Sequence, residues 1–258
     1  MQLVKRALGV VTALSQESAG LSLQQLADRL EIPEASMYRL LAVLKEEHFV
    51  TRAEGSRRYF AGPAAWEVGN STRRSGHLAE RSSGVLAELA DTVGEPVLFT
   101  ELVGRNAVCT GRFGPEHEAP LSARVGRTLP FHAATAARTL LVGMEEHRIR
   151  RLLCGSDFAR YRPRTPRGVH DVLHHLFLAR RNGYGVSYDE YDQGIWAVSA
   201  PVRGGTGHVL ATVTAAGSEH RMNQAARRRA RQLVLEAAHT LGSELGHRGT
   251  GGHRPCAS

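Results

Sequence analysis

The sequence predicts an α+β protein in which a small helical unit with a β-hairpin precedes a larger mixed unit. Residues 1–62 show helical apolar periodicity three times and then two short β-prone runs around a glycine-containing turn. Beyond residue 76, strand-like and helical segments alternate unevenly, which favours an α+β arrangement over a doubly wound sheet. The chain has 258 residues, which is enough for two such units.

The stretch from Ser22 to Glu47 predicts two short amphipathic helices joined by a tight turn. Ser22 and Gln25 have the spacing of a capping box, and Pro33 suits the first turn of the second helix. The apolar residues that recur at helical spacing are Leu23, Leu26, Ala27 and Leu30 in the first helix and Met37, Leu40, Leu41 and Leu44 in the second. An earlier stripe predicts a third helix packed across these two: Leu3, Val4, Ala7, Leu8, Val11 and Leu14.

Polar side chains face outward near the start of the second of these helices. Ser36, Tyr38 and Arg39 lie there, as a helix-turn-helix that enters a DNA major groove requires. The alternative is an ordinary helical hairpin without a DNA-binding role. The segments that follow favour the DNA-binding interpretation.

A predicted β-hairpin follows directly. Phe49–Arg52 and Arg57–Phe60 are β-prone runs on either side of the turn at 53–56, so the hairpin forms the wing of a winged helix-turn-helix. Arg57 and Arg58 at its tip are placed to reach phosphates or the minor groove. A solvated turn without a binding role is the alternative.

The rest of the chain is predicted to form a linker, a second domain and a tail. We place the winged helix-turn-helix at 1–62, a linker helix at 63–76, the second domain at 77–246 and a disordered tail at 247–258. The strands predicted in the second domain are Val97–Val103, Ala107–Phe113, Ile195–Arg203 and His208–Ala216. The helices predicted beyond residue 130 are Ala133–Met144, His147–Cys154, Val169–Arg181 and Asn223–Leu245, and Gly183 is a natural C-terminal cap.

Composition limits the class of protein. The formal net charge of +8 favours polyanionic partners, but much of the excess lies in the arginine run at 227–231 of the last predicted helix. The three cysteines are far apart and predict neither a disulfide framework nor a metal site. No apolar run spans a bilayer and no signal-peptide pattern opens the chain, so we expect a cytoplasmic protein without a membrane partner.

Several blocks, in this order, carry a resemblance to a known family. They are RALGVVTAL, LSLQQLADRLEIPEASMYRLLAVL, VGRTLPFHAATAARTLL, RRNGYGVSYDEYDQGIWAVSAPV and VLATVTAAG. The chain thereby resembles the IclR family of bacterial transcriptional regulators up to about residue 246. The resemblance implies a winged helix-turn-helix, a linker helix and a GAF-like effector-binding domain. It also implies homodimers or dimers of dimers on double-stranded operator DNA, and a small-molecule effector.

The resemblance also implies where the sites lie. The predicted DNA-binding residues are Ser22, Ser36, Tyr38, Arg39, Arg57 and Arg58. The predicted effector-binding residues are Leu121, Leu129, Thr135, Ala136, Ser187, Ile195, Ala197, Thr214 and Ala216. The helix start at Ala133–Ala136 favours an anionic group on the ligand, so we expect an organic acid or an aromatic or apolar metabolite. His132 before it either orients the loop or is simply structural.

Departures from the family pattern concern both sites. Glu34 and Ala35 stand where relatives favour Lys and Ser, so the operator sequence is not inherited from relatives. Members that bind small oxo-acids have Asp at the position of Ser187, Cys at Ala197 and Ser at Ala216. We therefore predict a more apolar pocket that takes a different ligand or none.

Other chemistry is weakly indicated. The sequence contains no phosphate-binding G-x-x-x-x-G-K loop and no G-x-S-x-G nucleophile elbow. His170 and His174 share a helix face and would need His147 or Asp171 as a third metal ligand, so an exposed surface is the preferred interpretation. Asp189, Glu190 and Asp192 are interpreted as surface or pocket-rim residues rather than a catalytic pair. Trp196 and Tyr188 either close the pocket or pack in the core.

The sequence therefore predicts a DNA-binding transcriptional regulator controlled by a small molecule, without catalytic activity, metal or cofactor. Two rival hypotheses remain. In one the second domain no longer senses a ligand and acts through protein partners. In the other the protein converts a metabolite and carries an accessory winged helix.

Overall fold

The computed structural model describes residues 2–17, 19–53, 55–74, 78–115 and 121–246. The chain divides into two compact units, Met1–His77 and Leu78–Ser258. The tail predicted to be disordered, 247–258, lies outside the described residues, as do 75–76 of the predicted linker helix.

The first unit is a winged helix-turn-helix. Its elements are α1 (Gln2–Ser15), β1 (Leu21–Ser22), α2 (Leu23–Leu30), α3 (Glu34–Glu46), β2 (Val50–Arg52), β3 (Arg58–Ala61) and α4 (Pro63–Arg74). The strands form an antiparallel sheet of order β1-β3-β2, so the predicted hairpin is present. The two-residue strand β1 was not predicted, because a segment that short carries no periodicity.

The core of the first unit confirms two of the three predicted stripes. Leu26 and Ala27 of α2 are buried, and α3 buries the four residues predicted for it. The stripe predicted for α1 is wrong at Leu3, Val4 and Leu8, which are 69%, 64% and 64% exposed. The physical reason is that only the C-terminal half of α1 packs on the core, through Val10, Ala13 and Leu14.

The second unit is built on one antiparallel sheet of six strands. Its helices are α5 (Leu78–Arg81), α6 (Ser83–Val93), α7 (Thr135–Thr139), α8 (Glu146–Leu153), α9 (Val169–Asn182) and α10 (Gln224–Gly246). Its strands are β4 (Val97–Val103), β5 (Asn106–Phe113), β6 (Thr128–Leu129), β7 (Gly185–Tyr188), β8 (Ile195–Arg203) and β9 (Val209–Ser218). The strand order is β6-β5-β4-β9-β8-β7.

Helices cover both faces of this sheet. α6 and α10 pack on one face against alternate residues of β8, among them Trp196, Val198 and Ala200. α7 and the 3₁₀ turn Leu140–Gly143 that continues it pack on the other face. The predicted helix Ala133–Met144 is therefore shorter at both ends than expected and changes its winding within the segment.

No helix among the described residues is both long enough and apolar enough to span a membrane.

Candidate nucleic-acid interface and ligand cavity

The helix α3 presents the side chains that the sequence placed on its outer face. Tyr38 is 64% exposed and Arg39 is also exposed, whereas Ser36 is half-buried. Met37 and Leu40 beneath them are buried in the core, which fixes the rotation of the helix. Pro33 is the N-cap residue rather than part of the first turn, and the next residue, Glu34, is exposed.

The predicted DNA-binding residue Ser22 caps α2. Its hydroxyl accepts a hydrogen bond from the Gln25 backbone N–H at 3.1 Å, and its own N–H donates to Gln25 Oε1 at 2.9 Å. Both halves of the predicted capping box are therefore present. The hydroxyl is already engaged in holding the start of α2.

The two wing arginines have different surroundings. Arg57 is exposed, and it lines an open groove of about 410 Å³ together with Lys45 and Arg52. Arg58 Nη1 instead donates to the carbonyl oxygens of Ala19 at 3.3 Å and Gly20 at 2.8 Å. Arg58 thus ties the wing to the loop that precedes β1.

Sequence reasoning did not select Lys45 or Arg52. Arg52 Nε donates to the Ser56 carbonyl at 3.1 Å, and its guanidinium lies 5.7 Å from the centre of the Tyr59 ring. Lys45 lies at the end of α3 and Arg52 lies beside the hairpin turn, and these positions could have indicated from the sequence that both residues are near the wing. Together with Arg57 they make this groove cationic, as phosphate contacts require.

A cavity lies on the α7 face of the six-stranded sheet. Each of the predicted effector-binding residues lines it, so residues that are far apart in sequence come together there. Successive side chains of β8 and β9 point to opposite faces of the sheet, which explains why only alternate residues line the cavity. Ile195 and Ala197 point into it, and Trp196 points to the other face. The cavity volume is about 40 Å³, which is room for a few water molecules.

Further residues line the cavity besides the predicted effector-binding residues: Leu98, Ala123, Ala134, Glu190, Tyr191 and Asp192. Of these, Leu98, Ala123 and Tyr191 are not indicated by the sequence. Side chains alternate between the two faces of β4, and this alternation could have placed Leu98 on the cavity side. The acidic residues follow β7 directly. Of the two alternatives for them, surface or pocket rim, Glu190 and Asp192 take the second, since both line the cavity and Glu190 is 6% exposed.

The loop between β7 and β8 is held by its first residue. Asp189 adopts a left-handed backbone conformation with φ of 50°, and its Oδ1 accepts hydrogen bonds from Gly194 N at 2.8 Å and Arg162 Nε at 3.1 Å. Thr165 Oγ1 donates to the Glu190 carbonyl oxygen at 2.6 Å. The proline-containing loop at 160–167 therefore fixes the acidic loop beside the cavity.

Glu190 is ion-paired and buried. Its Oε2 accepts a hydrogen bond from Arg138 Nη2 at 2.8 Å. Burial raises the pKa of the Glu190 carboxyl, and the nearby Arg138 opposes this rise. The net direction is upward, so this carboxyl takes up a proton at a higher pH than an exposed glutamate does.

Asp192 has no cationic side chain bonded to it among the described residues. Its two carboxylate oxygens accept from the Ser122 backbone N–H at 3.2 Å and 3.1 Å. Burial raises the pKa of Asp192, while the Ser122 hydrogen bonds and, more weakly, Arg127 lower it. Asp192 thus brings a second carboxyl group to the cavity wall.

Two hydroxyl groups of the lining differ in how they are satisfied. Thr214 Oγ1 donates to Ser199 Oγ at 2.9 Å. Thr135 Oγ1 is buried and has no hydrogen-bond partner among the described residues. A buried hydroxyl without a partner is costly, so Thr135 marks a position where a ligand or a water molecule would be stabilising.

The residues whose role the sequence left open now have definite places. Trp196 is 2% exposed in the core against α10, and Tyr188 packs at the edge of the same core, so neither closes the cavity. His132 is buried, and its Nε2 is 3.0 Å from the Ala159 carbonyl oxygen, which anchors the neighbouring loop. His170 and His174 are exposed, and no group of three potential metal ligands occurs among the described residues.

Comparison with known proteins assigns both units to the same family. Residues 3–54 match the model of the IclR helix-turn-helix domain, and residues 71–243 match that of the bacterial transcriptional regulator IclR C-terminal domain. The chain is similar to the HTH-type transcriptional regulator XynR of Escherichia coli K12, with 23% identity over 96% of this chain and 98% of that protein.

Solved structures show the same fold. The IclR protein of Thermotoga maritima has a TM-score of 0.76 and 21% identity, over 95% of this chain and 99% of that chain. An IclR homologue of Microbacterium hydrocarbonoxydans complexed with 4-hydroxybenzoate has a TM-score of 0.74 and 18% identity, over 94% and 98% of the two chains. At these identities the likeness concerns the fold.

Proposed function

The chain belongs to the IclR family of bacterial transcriptional regulators, and we propose that a small molecule bound in the cavity of the second unit controls its binding to operator DNA. The observation that carries this proposal is the cavity itself, because residues from α7, β7, β8 and β9 converge on it. A ligand there changes DNA binding only if it has unequal affinity for two arrangements of the protein.

We assign DNA recognition to α3 and the wing. Tyr38 and Arg39 are exposed on a helix whose other face is locked in the core, so they are available to base edges in a major groove. Arg57, Lys45 and Arg52 supply cations for flanking phosphates. In this assignment Ser22 and Arg58 act chiefly by holding α2 and the wing in place, with Ser36 at the margin of the contact.

The test of this assignment starts with the operators, which genome-wide footprinting of the bound DNA identifies. Arg39→Ala is expected to weaken operator binding at least tenfold at fixed salt and to reduce discrimination between operator and unrelated DNA. Arg181→Ala, which removes an exposed cation of α9, is the matched control and is expected to leave binding unchanged. Equal operator affinity of Arg39→Ala and the unaltered protein would refute the assignment.

The ligand test uses the same operators. Metabolites whose synthesis or breakdown the target genes encode are added to the complex, and one of them is expected to shift operator affinity and raise the melting temperature of the free protein. If no such metabolite does either, the sensing proposal fails, and the rival in which the second domain acts through protein partners takes its place.

We further propose that the protein acts in the cytoplasm as a homodimer or a dimer of dimers. Exposed apolar side chains on two helices of the first unit support this, since Leu3, Val4, Leu8 and Trp66 are 69%, 64%, 64% and 71% exposed. A second copy of the chain is the occupant we assign to them, because a symmetric pair of heads matches two operator half-sites.

We propose a binding role and no catalysis for the cavity. Glu190 is held by Arg138 and Asp192 by the Ser122 amide, so both carboxyls are engaged in positioning the cavity wall. Recovery of the identified effector unchanged after prolonged incubation is the expected result. Its conversion by the purified protein would favour the enzyme hypothesis instead.

A further inference from the structure

The arginines of α10 have no role in the proposed function, and two of them pack against aromatic rings beside the six-stranded sheet. Arg227 and Arg231 lie about one turn apart on the helix. The guanidinium carbon of Arg227 is 5.6 Å from the centre of the Tyr188 ring and 5.7 Å from that of Trp196. The guanidinium carbon of Arg231 is 5.8 Å from the centres of both the Trp196 and the Tyr184 rings. At these distances the ring faces attract both cations.

A third arginine reaches the same rings from another part of the chain. Arg164 belongs to the loop at 160–167, and its guanidinium carbon lies 4.4 Å from the centre of the Tyr188 ring. Tyr188 therefore contacts the guanidinium groups of both Arg164 and Arg227. We call Arg164, Arg227 and Arg231 the arginine cluster.

The arginine cluster lacks an acceptor among the residues that the structure describes. No salt bridge joins its side chains to a carboxylate, and none of its side-chain nitrogens donates a hydrogen bond to a described residue. Asp189 and Glu219 line a pocket beside Tyr188, but Asp189 accepts from Arg162 at 3.1 Å and Glu219 pairs with no arginine of the cluster. Like charges that gather without a counterion repel each other, so a bound anion would stabilise them.

The terminal nitrogens of the cluster face solvent. Arg227 and Arg231 are half-buried, and Nε is the side-chain nitrogen of each that is both buried and without a hydrogen-bond partner. Their Nη groups are therefore open to a ligand, and Arg164 is exposed. Because the rings hold the guanidinium planes, less side-chain freedom is lost when an anion binds.

The cluster lies on the face of the sheet opposite to the ligand cavity. Ser187 lines the cavity, whereas the next residue of β7, Tyr188, packs on the α10 side together with Trp196 of β8. None of the three arginines lines the cavity. A ligand of the cluster is therefore a second ligand, separate from the one assigned to the cavity.

We propose that the arginine cluster binds a phosphate group, either free or at the end of a small organic molecule. A phosphate offers several oxygens to guanidinium groups at once, and the arginine fork matches them in pairs. A single carboxylate has two oxygens and one charge, so it would leave part of the cluster without a counterion. This inference does not rest on the sensing function of the cavity.

Trp196 gives a local measurement of binding, because it lies against two guanidinium groups of the cluster and their neutralisation alters its emission. The chain has two tryptophans, so in Trp66→Phe the fluorescence comes from Trp196 alone. Inorganic phosphate, glycerol 3-phosphate and acetate are titrated into this full-length variant at pH 7.5 and constant ionic strength. At least one phosphate is expected to change the emission saturably and to bind at least tenfold more tightly than acetate. Acetate binding as tight as that of the phosphates overturns the inference, and so does the absence of a saturable change.

Substitutions in the same Trp66→Phe background locate the binding. Arg164→Gln removes an exposed cation, so the core is untouched, and the dissociation constant of the phosphate is expected to rise about tenfold. Arg231→Gln is expected to do the same, with folding checked by circular dichroism; if it does not fold, Arg164→Gln alone decides. Arg57→Gln, in the cationic groove of the first unit, is the matched control and is expected to leave the constant unchanged. Unaltered binding in Arg164→Gln, or an equal loss in Arg57→Gln, overturns the site assignment.

The two phosphates also separate the sources of the group. Tighter binding of glycerol 3-phosphate identifies an organic phosphate as the ligand, whereas equal or tighter binding of inorganic phosphate identifies the free ion, and either result supports the site. The backbone of DNA is the remaining source of phosphate. Arg164→Gln is therefore expected to bind operator DNA as tightly as the unaltered protein at fixed salt. A measurable loss of operator affinity would assign the cluster to DNA and overturn the inference.

Discussion

Arg138 and Glu190 form an ion pair of 2.8 Å in which the two side chains are only 3% and 7% exposed. The pair joins α7 to the loop between β7 and β8, two elements that contribute to the same cavity wall. Removing one partner from such a pair leaves an uncompensated buried charge, which costs much more than losing the same contact at the surface.

Arg138→Met is therefore expected to lower the free energy of unfolding by about 3–5 kcal/mol, measured by urea denaturation at pH 7. Arg150→Met is the control, since Arg150 pairs with Glu146 at 2.7 Å while both side chains are more than half exposed. Its expected cost is at most about 1 kcal/mol. Similar decreases in the free energy of unfolding for the two variants would show that the buried pair stabilises the protein no more than an exposed pair does.

The stability of the protein is expected to fall as the pH drops from 6.5 to 4, because of His175. Burial, followed by the positive charges of Arg138 and His174, lowers the pKa of His175 from 6.5 to about 4, with Asp171 opposing. Between these values the unfolded chain binds a proton that the native state does not, so acidification favours unfolding, by about 3 kcal/mol at most.

The measurement compares the pH dependence of unfolding in two variants. His175→Gln is expected to flatten the dependence between pH 6.5 and 4, whereas His170→Gln, at an exposed position of the same helix, is expected to preserve it. The raised pKa values of Glu190 and Asp192 act in the opposite sense, since their stabilising contribution is lost as the pH rises above the ordinary carboxyl range. Only the difference between the His175 and His170 variants therefore reports on His175, and identical slopes would contradict the assignment.

Elements with strong periodicity could be predicted from the sequence, and short ones could not. The strands Val97–Val103 and Ile195–Arg203 agree with the expected bounds, because each is a mostly apolar run of seven or more residues that ends at a glycine-containing turn. The strands β1 and β6 have two residues each and are defined only by their partners across the sheet. The predicted burial of Leu8 is wrong for a related reason, since periodicity does not show how far along α1 the core extends.

The candidate cavity was anticipated through resemblance, and its charge was not. The residues of β8 and β9 that face it follow from strand alternation once one of them is assigned. The sequence favours a surface or pocket-rim position for Glu190 and Asp192, because acidic residues rarely lie inside a protein unless they are paired. Their partners Arg138 and Ser122 are 52 and 70 residues away, a relationship that only the folded chain defines.

Glu34 is expected to weaken DNA binding from its position in the first turn of α3. A carboxylate there stabilises the helix start, by about 0.3–1 kcal/mol, but repels nearby phosphates. Glu34→Gln is therefore expected to raise affinity for unrelated duplex DNA several-fold in low salt, measured by fluorescence anisotropy. Glu46→Gln at the opposite end of α3 is the control and should change affinity less. If both variants bind DNA as the unaltered protein does, α3 does not approach the backbone at its start.

Leu8→Glu is expected to weaken self-association without unfolding the protein, because Leu8 is 64% exposed in the single chain. A charge in an apolar contact between copies must be desolvated, so the dimer dissociation constant should rise at least tenfold in sedimentation velocity runs. Gln2→Glu adds the same charge at another exposed position of α1 and should leave the dimer intact. Unchanged association of Leu8→Glu would place the contact between copies elsewhere.

Gly185 permits the close approach of α7 to β7 that shapes one side of the cavity. A Cβ at this position would lie 2.6 Å from Thr139 Oγ1 and 3.0 Å from Thr135 Oγ1, and both threonines are buried. Gly185→Ala is therefore expected to cost about 1–3 kcal/mol of stability in urea denaturation, because a β-branched side chain held in the core has little room to yield.

The same contact predicts a rescue. In a Thr139→Ala background the nearest hydroxyl is absent, so Gly185→Ala should cost less there by at least about 0.5 kcal/mol, the lower end of coupling between residues in contact. Gly84→Ala is the control, because a Cβ on Gly84 meets nothing within 4 Å and alanine suits the helix α6, so it should be neutral or stabilising. Additive effects of the Gly185 and Thr139 substitutions would mean that α7 shifts away from β7 at little cost, and the cavity wall would then be more adaptable than its packing implies.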